Sequence, residues 1–100
     1  MDLYIQFYDN LTEKSIIIRE ILEYVMQVLE NICNLAIEYT VEKDPASDEP
    51  YMIVNDLEPV YFDKIPDIEM LIKILLIASD SKLISDGSSS FGLEIDSILP

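Results

Sequence analysis

Apolar and polar positions alternate at the start of the chain. Leu3, Ile5 and Phe7 fall on one side of this period-two pattern, and Tyr4 and Tyr8 fall on the other. Alternation of this kind is typical of a β-strand, because successive side chains point to opposite faces of a sheet. Since both sides carry large side chains, the pattern predicts a central strand that is partly covered on each face.

The next segment changes to a period near 3.6, which predicts a long amphipathic helix that ends near residues 31–34. Thr12 is a candidate N-cap, and the carboxylate of Glu13 in the first turn suits the positive end of the helix dipole. The apolar stripe is Ile17, Ile18, Ile21, Leu22, Val25, Val28, Leu29 and Ile32. Four carboxylates gather on the opposite side: Glu13, Glu20, Glu23 and Glu30.

A second strand is predicted at residues 35–42, where apolar and polar positions alternate again. The β-branched side chains of Thr40 and Val41 favour a strand over a continued helix. The polar residues that follow, 43–50, include two prolines and predict a loop.

A β-hairpin and a closing helix are predicted in the next part of the chain. The apolar residues 51–54 and 60–62 flank a polar turn, which is typical of two antiparallel strands. Asp67 is a candidate N-cap for a second helix, whose apolar face runs to about Ala78.

The chain is predicted to divide into a single domain at residues 1–78 and a Ser-rich linker with a flexible tail at residues 79–100. Near its end the tail alternates apolar Phe91, Leu93 and Ile95 with small or acidic residues. Two interpretations stay open for this segment. It is either a disordered end, or a strand that docks on an exposed sheet edge of its own chain or of a second copy.

The order of these elements predicts an α/β sandwich. A β-α-β unit needs a crossover helix between parallel strands, and the hairpin and closing helix complete a mixed four-stranded sheet with helices packed on it.

This element order is the core of the thioredoxin-like fold. Residues 49–56 resemble the segment of small thioredoxins and glutaredoxins in which a proline precedes an apolar strand and a turn. Residues 60–62 resemble the next strand of that family, and residues 65–71 resemble the opening of its last helix.

The resemblance implies that Pro50 stands where the family has a cis-proline; a trans proline in an ordinary loop is the alternative, since most X–Pro bonds are trans. The family's CxxC motif would fall at residues 10–13, where this chain has neither Cys nor Ser. Thiol–disulfide exchange needs an attacking thiolate and a second, resolving thiol. Because both are missing at these positions, the redox activity that the resemblance implies is not expected here. The connection from the second strand to Pro50 also looks too short for the family's usual second helix.

Charge narrows the classes of partner. The 100 residues include 20 Asp and Glu but only 6 Lys and Arg, which gives a formal net charge of −14 at pH 7. Such a surface repels phosphate, so direct binding to nucleic acid or to an anionic membrane is not expected. The N-terminus lacks the basic flank of a signal peptide, and no run approaches the roughly 20 apolar residues of a membrane-spanning helix. These features predict a cytoplasmic protein.

Reactive chemistry is scarce in the sequence. There is no His, and the one Cys, Cys33, excludes both a disulfide within the chain and any CxxC chemistry. Cys33 falls near the negative end of the first helix, where we expect a structural residue; a reactive or glutathione-binding thiol is the alternative. Acidic residues in 44–49 and 63–69 lack the spacing of a calcium loop and are expected to be solvated surface. No catalytic residue, metal ligand or cofactor site is predicted, and an enzyme is not expected.

These observations predict a redox-inactive, non-catalytic thioredoxin-like module that binds a protein partner. Because the surface is acidic, a basic partner is favoured. A homodimer is a further option. The expected contact residues are Glu13, Glu20, Glu23, Glu30, Pro50 and Tyr51. The alternative is an acidic decoy, which would occupy the basic site of a nucleic-acid-binding protein with carboxylates in place of phosphates.

Overall fold

The computed structural model describes residues 2–87, with side chains described as far as Asp80. Its elements follow the predicted order and confirm the α/β class. They are β1 (Leu3–Asp9), α1 (Glu13–Ile32), β2 (Ile37–Lys43), β3 (Tyr51–Val54), β4 (Val60–Tyr61) and α2 (Ile68–Gly87).

The four strands form one mixed sheet, as predicted, and the structure gives their order as β2-β1-β3-β4. β2 is parallel to β1, with Leu3 opposite Ile37, and α1 supplies the crossover that parallel neighbours need. β3 lies antiparallel on the other side of β1, with Phe7 opposite Met52, and β4 continues the sheet as the second strand of the hairpin. β1 therefore lies in the middle of the sheet, and β2 forms one edge.

Both helices pack on the same face of this sheet. Leu3, Ile5 and Phe7 of β1 are fully buried in one core with side chains from α1 and α2. Because side chains alternate along a strand, Tyr4 and Tyr8 point to the other face. Tyr4 and Tyr8 are half-buried, which confirms the prediction of a central strand that is partly covered on each face, although within residues 2–87 the helices cover one face only. The core is completed by Ile18, Leu22, Val25, Met26, Leu29, Met52, Val54, Phe62, Leu71, Leu75 and Ala78.

The predicted N-cap of α1 is confirmed, but the helix buries only part of its predicted apolar stripe. The Thr12 hydroxyl accepts a hydrogen bond from the backbone N–H of Ser15 at 3.2 Å, which satisfies a donor of the first turn. Ile17 and Ile32 are 42% and 75% exposed. The buried column is Ser15, Ile18, Leu22, Val25, Met26 and Leu29.

The predicted end of the second helix near Ala78 is wrong. α2 continues to Gly87, so residues 79–87 are helical where a linker was predicted. The reason is visible in the sequence: this stretch contains no proline, and Leu83 and Ile84 repeat Leu76 and Ile77 after two helical turns.

The tail residues to which docking was assigned, Phe91, Leu93 and Ile95, lie outside the described residues. Their two interpretations stay predictions.

Candidate functional site

The sheet face opposite the helices carries four tyrosines. Tyr4 and Tyr8 come from β1, Tyr51 from β3 and Tyr61 from β4; the strand register places Tyr8 opposite Tyr51 and Tyr51 opposite Tyr61. On the other side of β1, the acidic residues of β2 lie beside Tyr4 and Tyr8. We name this surface the tyrosine face; its residues are Tyr4, Gln6, Tyr8, Glu38, Thr40, Glu42, Tyr51, Ile53 and Tyr61.

Three of these tyrosines form a continuous row across three strands. The ring centroids of Tyr8 and Tyr51 are 4.6 Å apart and the rings are nearly parallel, at 9°. The rings of Tyr51 and Tyr61 follow at 5.0 Å and 42°. Aromatic pairs at such distances contribute about 0.5–1.5 kcal/mol beyond the area they bury. The row is thus a rigid aromatic surface, and Tyr61 at its end is 60% exposed.

The middle ring of the row is fixed by a carboxylate. The phenol of Tyr51 donates a hydrogen bond to Oδ2 of Asp44 at 2.6 Å. Asp44 is itself held in place, because its backbone N–H donates to the carbonyl of Asp9 at 2.8 Å. The hydrogen bond to Asp44, with a contribution from burial, raises the pKa of Tyr51 to about 12. Tyr51 therefore keeps its proton at every physiological pH.

We expect Asp44→Asn to lower the pKa of Tyr51, because the amide that replaces the carboxylate carries no charge to oppose ionisation of the phenol. In the wild type, the raised pKa contributes stability that is complete below pH 10 and is lost as the pH rises to about 12. Because the group is partly exposed, this contribution is about 1 kcal/mol. A tyrosinate absorbance titration measures the pKa, and alkaline unfolding measures the stability.

Asp48→Asn is the matched control for this titration, because it removes the same charge from the same loop without touching Tyr51. If Asp44→Asn and Asp48→Asn titrate alike, the hydrogen bond does not set the pKa of Tyr51.

Pro50 and Tyr51, the two contact residues expected in the second half of the chain, take different positions. Tyr51 is the centre of the tyrosine row. Pro50 is fully buried, and its carbonyl accepts a hydrogen bond from the N–H of Phe62 at 2.9 Å. The peptide bond before Pro50 is trans, so the cis form that the resemblance implied is not present. The hydrogen bond from Phe62 to Pro50 ties the start of β3 to the residue that follows β4.

The four carboxylates expected on α1 lie on the helix side of the sheet, away from the tyrosine face. Glu13, Glu20 and Glu30 are exposed. Glu23 is half-buried: it accepts a hydrogen bond from the phenol of Tyr39 at 2.9 Å, and Nε of Arg19 lies 3.6 Å from its Oε2. Burial, strengthened by this hydrogen bond, raises the pKa of the Tyr39 phenol. The start of α1 lies next to the loop before Pro50, because Nζ of Lys14 is 2.8 Å from Oε1 of Glu49. Within residues 2–80, no hydrogen bond or ion pair joins Glu20, Glu23 or Glu30 to Pro50 or Tyr51.

The β1–α1 junction, where the resemblance places the family's redox motif, is a closed hydrogen-bond network. Oδ1 of Asp9 accepts from the backbone N–H of Leu11 and from the hydroxyl of Ser15, each at 2.7 Å. Ser15 is fully buried, so its hydroxyl is not presented to a substrate. The side-chain amide of Asn10 donates to the carbonyls of Ser47 and Asp48, both at 3.2 Å. The junction links β1, α1 and the β2–β3 loop and holds no nucleophile.

This network was missed in the sequence, although its signal is present. Asp and Asn at the end of a strand commonly bond their own backbone two residues ahead, as Asp9 does here. The bond accompanies a left-handed backbone at Leu11, with φ of 65°, which is unfavourable for a bulky residue.

Cys33 is the C-cap of α1, at the helix end where it was expected, but it is exposed and so does not pack in the core as a structural residue would. Among the described residues, no group of three or more His, Cys, Asp or Glu side chains is arranged to hold a metal ion. In that same part of the chain, neither helix is both long and apolar enough to cross a membrane.

An apolar groove lies on the helix side of the sheet, between α2 and the β3–β4 hairpin. Its volume is about 420 Å³, and it carries one carboxylate, that of Glu58. The groove is a feature of tertiary packing that the sequence did not indicate. Its lining is Val54, Leu57, Glu58, Val60, Ile74, Ile77 and Ala78.

No protein-family model, curated protein or solved structure matches this chain. The role of the tyrosine face has therefore to be inferred from its own residues.

Proposed function

We propose that the protein is a non-catalytic protein-interaction module with a thioredoxin-like core, and that it binds its partner through the tyrosine face. The observation that carries this proposal is a row of three packed tyrosines, with Tyr4 farther along β1 on the same sheet face, and no helix on that face in residues 2–87. Tyrosine is enriched at protein interfaces and among the residues that dominate binding energy, because its large ring loses little conformational entropy when it is buried.

The parallel β1–β2 pair joined by α1, with the antiparallel β3–β4 hairpin in the same sheet, supports a thioredoxin-like core. Two features depart from that family: the trans bond before Pro50 and the short β2–β3 connection, residues 44–50. The short connection has a consequence for function. Because it contains no helix, it places no helix over the tyrosine face and touches that face through Asp44.

The β1–α1 junction and the position of Cys33 support a role without catalysis. The Ser15 hydroxyl donates to Asp9 inside the core and is not available as a nucleophile. Cys33 lies at the opposite end of α1, and a helix of 20 residues is about 30 Å long, so no group at the junction can pair with this thiol.

A selection of peptides tests this proposal directly. The full-length chain is used to select binders from a displayed random-peptide library, and the site of each binder is mapped by backbone amide chemical shifts. We expect the shifts to concentrate on β1, β3 and β4. Tyr61→Ala is expected to raise the Kd about tenfold, because Tyr61 is the most exposed ring of the row.

Tyr24→Ala is the matched control, because Tyr24 is similarly exposed, at 54%, but lies on α1. It should leave the Kd unchanged. Binders whose shifts fall on α1 or on the apolar groove, or whose affinity survives Tyr61→Ala, would show that the tyrosine face is not the binding site.

A further inference from the structure

The tyrosine face has a charge of one sign. Glu38 and Glu42 of β2 lie beside Tyr4 and Tyr8 in the parallel register, and both are exposed. Neither takes part in an ion pair with a side chain of residues 2–80. Asp44 adds a third carboxylate at the phenol of Tyr51. None of the residues that make up the tyrosine face is Lys or Arg.

We propose that the partner of the tyrosine face is a basic protein segment, and that one of its arginine side chains stacks on the outer face of Tyr8, the ring face that Tyr51 does not cover, with its charge directed toward Glu42. This inference rests on the proposed function, and it names the class of partner.

Two attractions act together on such an arginine. The face of an aromatic ring attracts a cation, and a planar guanidinium also stacks on the ring, which an ammonium does not. The carboxylate of Glu42 lies beside the end of the row, because Glu42 is the register partner of Tyr8. Packing against the rings excludes water and strengthens the attraction between the guanidinium and the carboxylate.

Charge also decides against other occupants. A second copy of this chain would bring a net charge of −14 and its own acidic face toward the first copy, so the two would repel. Nucleic acid and phosphorylated segments are repelled for the same reason. A basic segment is the occupant whose charge complements the tyrosine face, and this complementarity also speeds its association.

Synthetic peptides test the proposal with the full-length chain. The probe is a short peptide with spaced arginines; two matched versions carry lysine or the neutral isostere citrulline at those positions. We expect the arginine peptide to bind about tenfold more tightly than the citrulline peptide, and the lysine peptide to fall between them. The Kd of the arginine peptide should rise with salt. Glu42→Gln should weaken both the binding and its salt dependence, and adding Glu38→Gln should weaken them further.

Glu69→Gln is the matched control, because it removes one charge from an exposed position at the start of α2, on the helix side of the sheet. Equal binding of the arginine and citrulline peptides would overturn the proposal. So would a loss on Glu69→Gln as large as the loss on Glu42→Gln, because the attraction would then come from net charge alone.

The same experiments separate the interaction role of the tyrosine face from the basic character of its partner. If neutral peptides bind to the tyrosine face and lose affinity on Tyr61→Ala, the interaction role stands and the basic partner is wrong. If no peptide shifts the amides of that face, the interaction role fails as well.

Discussion

Phe7→Ala is expected to lower the free energy of unfolding by about 3–5 kcal/mol, whereas Tyr8→Ala should lower it by only about 1–2 kcal/mol. The two residues are neighbours on β1 but face opposite sides of the sheet. The side chain of Phe7 points from β1 into the core under the helices and is fully buried, so its removal leaves a cavity. Tyr8 loses chiefly its stacking on Tyr51.

Denaturant unfolding of the full-length chain measures both losses. Domains of this size are commonly stable by about 5–15 kcal/mol, so Phe7→Ala approaches the limit of folding. Phe7→Leu keeps most of the volume, should cost about 1–1.5 kcal/mol, and provides a folded comparison. Equal losses for Phe7→Ala and Tyr8→Ala would contradict the two-layer architecture, because they would mean that the tyrosine face is covered as completely as the core.

Asp9→Ala is expected to lower the free energy of unfolding by about 2–4 kcal/mol, because it leaves two donors without an acceptor. These donors are the N–H of Leu11 and the buried hydroxyl of Ser15. Asp9→Asn keeps an oxygen in place of Oδ1 and should cost only about 1 kcal/mol, mainly through its lost attraction to Arg19. Thermal or denaturant unfolding of the three proteins measures the difference.

A double-mutant cycle separates the pair from its surroundings. Once Asp9 is absent, the Ser15 hydroxyl has lost its acceptor, so Ser15→Ala should cost less in the Asp9→Ala background than in the wild type. Strictly additive losses would show that the bond between Ser15 and Asp9 does not stabilise the β1–α1 junction.

Local chemistry is what made the elements predictable. The two-residue period of β1 and the 3.6-residue period of α1 survive in the structure, and the Thr12 cap begins its helix where expected. In the hairpin, Asn55 and Asp56 both adopt positive φ, at 52° and 59°, which these two residue types tolerate better than most. Each of these signals depends on neighbours a few positions away, so a single sequence carries it in full.

The sequence-based prediction of the buried face of α1 was too wide and that of the end of α2 was wrong, because in each case the local pattern fits more than one structure. The apolar stripe of α1 is wider than the strip that the sheet can cover, so the sequence could not say that Ile18 is buried while Ile17 is exposed. The Ser and Asp residues after Ala78 are compatible with both a linker and a helix. In the structure α2 continues through them to Gly87.

The candidate site depends still more on contacts that are distant along the chain. The alternation in β1 places Tyr4 and Tyr8 on one side of their strand, but Tyr51 joins them only because β3 pairs antiparallel with β1. Tyr61 joins the row through the pairing of β4 with β3. A shift of one residue in either register would move these rings to the other face of the sheet.

By itself, the sequence determined the number and type of the elements, the α/β class, the mixed four-stranded sheet and the acidic character of the surface. Periodicity, caps and charge are local or additive properties, and they need no knowledge of which segments meet. Only the tertiary structure decided that both helices share one face of the sheet, and that three tyrosines form a row on the other face beside Glu42. Strand order and register are chosen by the core as a whole, because burying Leu3, Ile5 and Phe7 under two helices turns the tyrosines outward together.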